Sequence, residues 1–168
     1  MTLVVISDSH GKRQRVTDVL ERHGRCEAVL FLGDGLGDVD AVSGLAAVRG
    51  NCDGLCFLWG ADVPTERTLC FGDFKILMMH GHSHGVKSGV ERAAAYAAAK
   101  GADILLYGHT HVRQEKYFPQ GSEIGDVVLD KPLWVFNPGS LGQPSDGTPS
   151  YGIIEIRDGN VLFSHGTV

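Results

Sequence analysis

Leu3-Val4-Val5-Ile6, Ala28-Val29-Leu30-Phe31-Leu32, Ala46-Ala47-Val48 and Ile104-Leu105-Leu106-Tyr107 are short, unbroken apolar runs. Runs of this length without polar alternation predict strands buried on both faces of a sheet. After the first, Val16, Val19, Leu20 and His23 recur at i, i+3, i+4 and i+7 and Gly24 follows, which predicts an amphipathic helix of about three turns. Val39, Val42 and Leu45 predict a short second helix ahead of the third strand. The first half thus reads β-α-β-α-β, the order of a parallel sheet with right-handed crossovers.

The middle of the chain changes character. Thr65 to Cys70 and Lys75 to Met79 flank Phe71-Gly72-Asp73-Phe74 and predict a hairpin. Ser88 and Glu91 have capping-box spacing ahead of an alanine-rich helix that Gly101 closes. Residues 117–132 show the least periodicity and are read as a long loop or an irregular hairpin, longer than the connection expected there. Trp134-Val135-Phe136 is a further strand leading into Asn137-Pro138-Gly139-Ser140. Ile153 to Ile156 and Val161 to Ser164 close the chain as a hairpin around Asp158-Gly159. With no internal repeat, linker or low-complexity stretch, residues 1–168 are expected to form one mixed α/β domain.

Composition narrows the functional classes. Glycine is 23 of 168 residues, about 14% against the usual ~7%, and the glycines sit beside acidic, His and Asn residues. Tight turns are therefore expected where polar side chains converge. The formal net charge is −5, and no basic run exceeds Lys12-Arg13 with Arg15, so a long nucleic-acid backbone is not an expected partner. Cys26, Cys52, Cys56 and Cys70 show no paired C-x-x-C spacing, and the first residues lack the pattern of a signal peptide. No apolar run approaches the roughly 20 residues of a membrane span. A soluble cytoplasmic protein with reduced thiols, and no membrane partner, is the expectation.

The predicted strands share one grammar: each ends in residues able to hold a metal. Asp8 and His10 follow the first strand, Asp34 the second, Asn51 the third, His80 the strand before it, and His109 and His111 the strand at 104–107. Seven oxygen and nitrogen donors on five strand ends, with no thiolate, point to a dinuclear site, since a structural zinc takes four ligands rich in Cys. Such donors suit octahedral Mn²⁺, Fe or Zn with open positions for water. Two metals need a bridging carboxylate, and Asp34, isolated on its own tip, fits that place.

Asp8-x-His10, Gly33-Asp34, Gly50-Asn51, His80-Gly81-His82 and Gly108-His109-x-His111, in this order, resemble the motifs of the calcineurin-like metallophosphoesterases. The length, the Asn137-Pro138-Gly139-Ser140 segment and the terminal hairpin resemble the small prokaryotic phosphodiesterase branch. The resemblance implies a two-layer mixed β-sandwich flanked by helices, the four-layer αββα arrangement. It implies two divalent ions, most readily Mn²⁺ with Fe, Zn or Ni as alternatives. Asp8, His10 and His111 would hold one ion, Asn51, His80 and His109 the other, and Asp34 would join them. It further implies hydrolysis of a small phosphodiester by a metal-bridging hydroxide, with Asp34, Asn51 and His82 as catalytic candidates and His82 reaching substrate.

Two departures from the family pattern bear on chemistry. Many members carry a leaving-group-protonating His after the metal-binding Asn, where this chain has Cys52, although Cys-Asp is familiar in the small branch. Cys52 implies substrates whose leaving group needs little protonation, or a proton from His82 or water. The Pro-Arg often found after Asn-Pro-Gly-Ser is here Pro144-Ser145. Alternatives within the same fold are a phosphomonoesterase, and a non-catalytic scaffold like the retromer subunit of the superfamily. Leu55, Phe57, Leu58 and Trp59 form a candidate surface for a dimer or larger homo-oligomer. His23 and His165 read as structural, His84 as a surface residue, Trp59 and Trp134 as packing, and Cys26, Cys56 and Cys70 as buried small hydrophobes.

Overall fold

The computed structural model describes residues 1–54 and 63–168. The described strands are β1 (Thr2–Ile6), β2 (Ala28–Phe31), β3 (Leu45–Ala47), β4 (Glu66–Phe71), β5 (Phe74–Met79), β6 (Ile104–Leu106), β7 (Arg113–Phe118), β8 (Glu123–Ile124), β9 (Val127–Val128), β10 (Leu133–Pro138), β11 (Ser150–Arg157) and β12 (Asn160–Thr167). Two α-helices accompany them, α1 (Arg13–Arg22) and α2 (Glu91–Ala99).

The strands form two five-stranded sheets, ordered β12-β11-β1-β2-β3 and β4-β5-β6-β10-β7, and β8 pairs with β9 alone. In the first sheet β1, β2 and β3 are parallel and the β11–β12 hairpin joins antiparallel to β1. In the second, β5, β6 and β10 are parallel and β4 and β7 are antiparallel edges. Leu3 and Val5 pack with Ile76, Met78, Ile104 and Leu106 between the sheets. Val4 and Ile6 face the other way, onto Val16 and Val19 of α1. Leu77 and Leu105 do the same beneath Ala93, Ala94 and Ala97 of α2. Both faces of the central strands are thus covered, which is why they read as continuous apolar runs. The αββα sandwich is the expected fold.

Register sets the position of the site. Ile6, Phe31 and Ala47 are in line across the first sheet, and Met78, Leu106 and Phe136 across the second. The parallel strands therefore stop level with one another, and the residues after them gather at one edge, the usual ligand crevice of a parallel sheet.

Several expected elements are corrected. Residues 36–44 form a 3₁₀ turn at Leu36–Asp38 followed by further turns, not a second α-helix, and Leu45 belongs to β3. Val39 N bonds to Leu36 O and Val42 N to Val39 O, each three residues back, and the Asp38 carboxylate is engaged by Ser9 Oγ and the Gly11 N–H. The Ser88–Glu91 capping box does not form: Ser88 ends a separate 3₁₀ turn, Val90 occupies the N-cap, and Glu91 pairs with Lys116 at 2.9 Å. Val86 and Val90 are buried under α2, and that burial sets where the helix starts. Cys70 is exposed on the edge strand β4 and Cys26 is half-buried, contrary to the buried places expected. Cys56, and the surface of Leu55, Phe57, Leu58 and Trp59, lie outside the described residues.

Residues 117–132 finish β7 and then form the β8–β9 hairpin, whose Ile124, with Leu129, joins the core beneath α2. Trp134 packs edge-on against Phe74 and beside Tyr117, His23 bonds to the Tyr151 hydroxyl at 2.9 Å, and His165 bonds to the Asn137 carbonyl at 2.8 Å. Among the described residues no helix is long and apolar enough to cross a membrane.

Candidate metal centre

All seven candidate ligands lie at the level edge. Their backbone is unusual: Asp8, His10, Asp34, His109 and His111 have φ of 53°, 43°, 61°, 67° and 58°. Among the described residues only Asp158, in the final hairpin turn, is another non-glycine with positive φ. This left-handed region costs a side-chain-bearing residue about 1–2 kcal/mol, least for Asp, Asn and His. Its concentration here marks a place where geometry is held against local preference. The reversed backbone turns each side chain from the strand direction into a shared space. Hydrogen bonds lock the bends, Asp8 N to Gly33 O at 2.9 Å, His10 N to Asp34 O at 3.1 Å and Gly108 N to His80 O at 3.1 Å.

The glycines ahead of these residues are needed for close approach. A Cβ on Gly50 would lie 2.1 Å from Asp34 Oδ1, and one on Gly108 would lie 2.8 Å from Asp8 Oδ2. The G-D, G-N and G-H pairs of the sequence thus let three tips close on one another.

The donor atoms converge. His111 Nε2 is 3.1 Å and His10 Nε2 3.8 Å from Asp8 Oδ1, and the two Nε2 atoms are 3.3 Å apart. On the other side His80 Nε2 is 3.3 Å from Asp34 Oδ2 and 3.1 Å from Asn51 Oδ1. Asp34 Oδ2 is also 4.0 Å from His10 Nε2, so this carboxylate stands between the two groups. Asp8-His10-His111 and Asp34-His80-His109 each bring one donor atom per residue to within 4.8 Å of one another.

Two observations fit a cation. Asp8 is fully buried; its Oδ2 accepts from Ser7 Oγ at 2.5 Å and His109 N at 3.0 Å, while Oδ1 has no hydrogen-bond partner and faces the histidines. A buried carboxylate oxygen without a partner is costly unless a cation meets it. Secondly, His80 Nδ1 lies 2.8 Å from Leu32 O and His111 Nδ1 2.7 Å from Gln143 O. A carbonyl only accepts, so each Nδ1 carries a proton, which leaves Nε2 as the inward-facing nitrogen that would bind a metal once its own proton is displaced, the arrangement that supports a metal-ligating His.

The electrostatics follow from this crowding. Burial works against ionised Asp34, but hydrogen bonds and charge from His80 and the Cys52 N–H hold its carboxyl far below the usual range. Burial likewise opposes a charged His80, yet Asp34 and Asp8 raise its pKa; the Asp8 contact raises that of His111. Burial and the charge of His80 push His109 down to about 4. Burial and the Asp34 carboxylate push the Cys52 thiol up to about 11.

His82 sits apart from these donors, its ring 5.5 Å from His80 and 6.1 Å from His109, with a buried Nδ1 that has no partner. His84 packs on Tyr96 with ring centroids 4.7 Å apart. Ser140 Oγ donates to Asp8 O at 2.8 Å, and Asn137 Nδ2 donates to Gly108 O at 3.1 Å and Thr110 Oγ1 at 3.0 Å. The Asn-Pro-Gly-Ser segment therefore braces the first and last tips.

Asp53 is the residue the sequence reading missed. Its buried carboxylate accepts four backbone N–H groups, from Asp34 at 2.8 Å, Gly35 at 2.7 Å, Leu36 at 2.9 Å and Gly50 at 2.7 Å. One side chain thus fixes both the loop that carries Asp34 and the loop that carries Asn51. The available signal was a carboxylate three residues after Gly50, in glycine-rich turns whose N–H groups need an acceptor.

The comparisons agree with this geometry. Residues 1–159 match the model of the calcineurin-like phosphoesterase superfamily domain. A probable metallophosphoesterase of Bacillus subtilis, YsnB, is 33% identical over 163 residues, 94% of this chain and 86% of the relative. The phosphodiesterase YfcE of Escherichia coli K12 is 29% identical over 181 residues, 92% of this chain and 88% of the relative. The structure of Vps29 from Entamoeba histolytica complexed with Zn²⁺ superposes with a TM-score of 0.68 at 25% identity, covering 99% of both chains. With strand-tip donors, αββα sandwich and family model coinciding over nearly its whole length, the chain belongs to the calcineurin-like phosphoesterase superfamily.

Proposed function

We propose that residues 1–168 act as one domain, a phosphodiesterase that depends on two divalent metal ions and hydrolyses small phosphodiesters. The observation that carries the reading is the pair of donor groups, Asp8-His10-His111 and Asp34-His80-His109, with Asp34 Oδ2 4.0 Å from His10 Nε2 between them and the unpartnered, buried Asp8 Oδ1 facing the histidines. Asp8, His10 and His111 hold one ion, Asn51, His80 and His109 the other, and Asp34 lies between them. Bound divalent ions supply Lewis acidity toward phosphoryl oxygens and a nucleophile at neutral pH. Oxygen and imidazole donors suit Mn²⁺. Asn51 adds a donor without negative charge, which keeps the centre attractive to a phosphate.

The chain's own residues orient and select. His82, its pKa lowered by burial and the nearby His80, stays neutral at pH 7 and offers a hydrogen bond to a substrate oxygen. Cys52, protonated at neutral pH but a weak acid, favours esters whose leaving group needs little protonation. That favours diesters over monoesters, and YfcE, a relative named as a phosphodiesterase, supports the same choice.

A cytoplasmic location and a dimer or larger homo-oligomer belong to the same proposal. The assembly rests on the apolar residues Leu55, Phe57, Leu58 and Trp59 of the sequence, and light scattering at high concentration checks it.

The test uses metal-stripped protein re-supplied with Mn²⁺ on an aryl phosphodiester and the matching monoester, with Asp34→Asn as control. Mn²⁺-dependent hydrolysis preferring the diester and lost in the variant is expected. Preferred monoester turnover would favour the phosphomonoesterase, and no turnover with any divalent ion would turn the choice to the non-catalytic scaffold.

A further inference from the structure

We infer that Cys52 Sγ is a metal ligand of this centre, binding a thiophilic divalent cation together with His10 and Asp34 and so setting which metal the protein prefers. This rests on the metal-centre reading above and adds to it a donor outside the seven nitrogen and oxygen ligands.

The geometry comes from three independent contacts. A donor atom from each of His10, Asp34 and Cys52 lies within 4.8 Å of the other two, a third such group beside the two already described. The Cys52 N–H donates to Asp34 Oδ1 at 2.7 Å, which fixes the thiol alongside the shared carboxylate. Asn51 Nδ2 points at Cys52 Sγ from 3.2 Å, and an amide N–H on sulfur is the kind of outer contact that steadies a ligating thiolate. Cys52 is solvent-exposed and lines a cleft of about 280 Å³ with His10 and Asp34, so the side chain has room to turn toward an ion. The buried, unpartnered Asp8 Oδ1 lies 3.8 Å from the same His10 Nε2, which places the unmet negative charge beside this group.

The chemistry is a ligand exchange: the sulfur–metal bond would form as a coordinated water leaves the ion, the S–H bond breaks, and the proton passes to solvent. Thiolates favour Zn²⁺ and other soft ions, whereas Mn²⁺ takes oxygen and nitrogen donors. With Mn²⁺ the thiol stays protonated and leaves a coordination position open; with Zn²⁺, Cd²⁺ or Co²⁺ the sulfur fills it. The chain would then bind thiophilic ions more tightly in a form less able to admit substrate.

Co²⁺ titration of the metal-stripped full-length protein tests this by absorption. The wild type is expected to show visible ligand-field bands together with a near-ultraviolet sulfur-to-cobalt charge-transfer band. Cys52→Ser is expected to keep the visible bands, lose the charge-transfer band and lower the Cd²⁺-over-Mn²⁺ affinity ratio at least about tenfold. As a readout without mutation, Cd²⁺ should slow alkylation of Cys52, followed by mass spectrometry, and leave Cys70 unaffected. Visible bands without a charge-transfer band in the wild type, or a charge-transfer band that survives in Cys52→Ser, would overturn the sulfur ligand alone. Absence of both bands in the wild type would overturn the metal centre and the sulfur ligand together.

Discussion

Replacing Asp53 by asparagine keeps the size of the side chain and removes half of its acceptor capacity. The carboxylate accepts from Asp34 and Gly50 through Oδ2 and from Gly35 and Leu36 through Oδ1. The amide keeps one oxygen, so two N–H groups lose their partner and face an N–H₂ donor instead. Hydrogen bonds to a charged group contribute about 1.5–3 kcal/mol each, so the loss comes to about 3–6 kcal/mol. A folded domain has about 5–15 kcal/mol in total, which makes this a large fraction. The expected fall in Tm is at least about 6 °C. Because Asp53 also holds the loops of Asp34 and Asn51, metal affinity should fall about 10–100-fold, the usual cost of losing a group that orients a ligand. Urea unfolding of the metal-free protein gives the first quantity and chelator competition the second. A variant within about 0.5 kcal/mol of wild type, the range of a featureless surface change, would show that the four N–H bonds to Asp53 do not hold these loops.

Gly50→Ala should abolish Mn²⁺-dependent hydrolysis, because its Cβ would lie 2.1 Å from Asp34 Oδ1; wild-type turnover in the variant would show that the Asp34 loop gives way freely. Cys52→His should raise turnover of esters with poor leaving groups more than that of aryl esters, and equal effects across a leaving-group series would remove the assigned weakness of the thiol as an acid. Metal affinity should fall with acidification from above the ordinary imidazole pKa of about 6.5. His111, through its Asp8 contact, and His80, where Asp34 and Asp8 outweigh burial, both hold protons that a metal must displace. His109, pushed down to about 4, carries no proton in that window and adds nothing to the slope. Chelator competition from about pH 8 to about pH 5.5 should therefore show affinity falling by more than about one decade per pH unit at the acid end, and a flat profile would contradict the ligand roles of both histidines.

The sequence made most of the site legible because Asp8, His10, Asp34, His109 and His111 follow the central strands β1, β2 and β6, buried on both faces, and such strands announce themselves as unbroken apolar runs. The terminal hairpin and the β4–β5 hairpin were legible for the same kind of reason, a two-residue turn between two patterned segments. What stayed hidden depends on groups distant in sequence. Asp53 acts on the N–H groups of residues 34–36, and no local pattern reports that. β7, with an exposed Arg113–Glu115 start on a sheet edge, has too little apolar content to read as a strand. The turns at 36–44 share apolar spacing with a real helix, and the contacts that hold them as turns, Asp38 with Ser9 and Gly11 and Asp40 with Arg13, come from elsewhere in the chain. The assignment of strands to two separate sheets came from the family resemblance, since periodicity alone carries no pairing information.

The proposed centre holds two ions with Asp34 between them. Mn²⁺ titrated into metal-stripped protein, with bound metal and aryl phosphodiester hydrolysis followed on the same samples, tests it most directly. Saturation at two ions per chain is expected, with activity that rises with the second, and neither a second ion nor turnover in Asp34→Asn. Full activity at one bound ion per chain, or no activity with two bound, would contradict it.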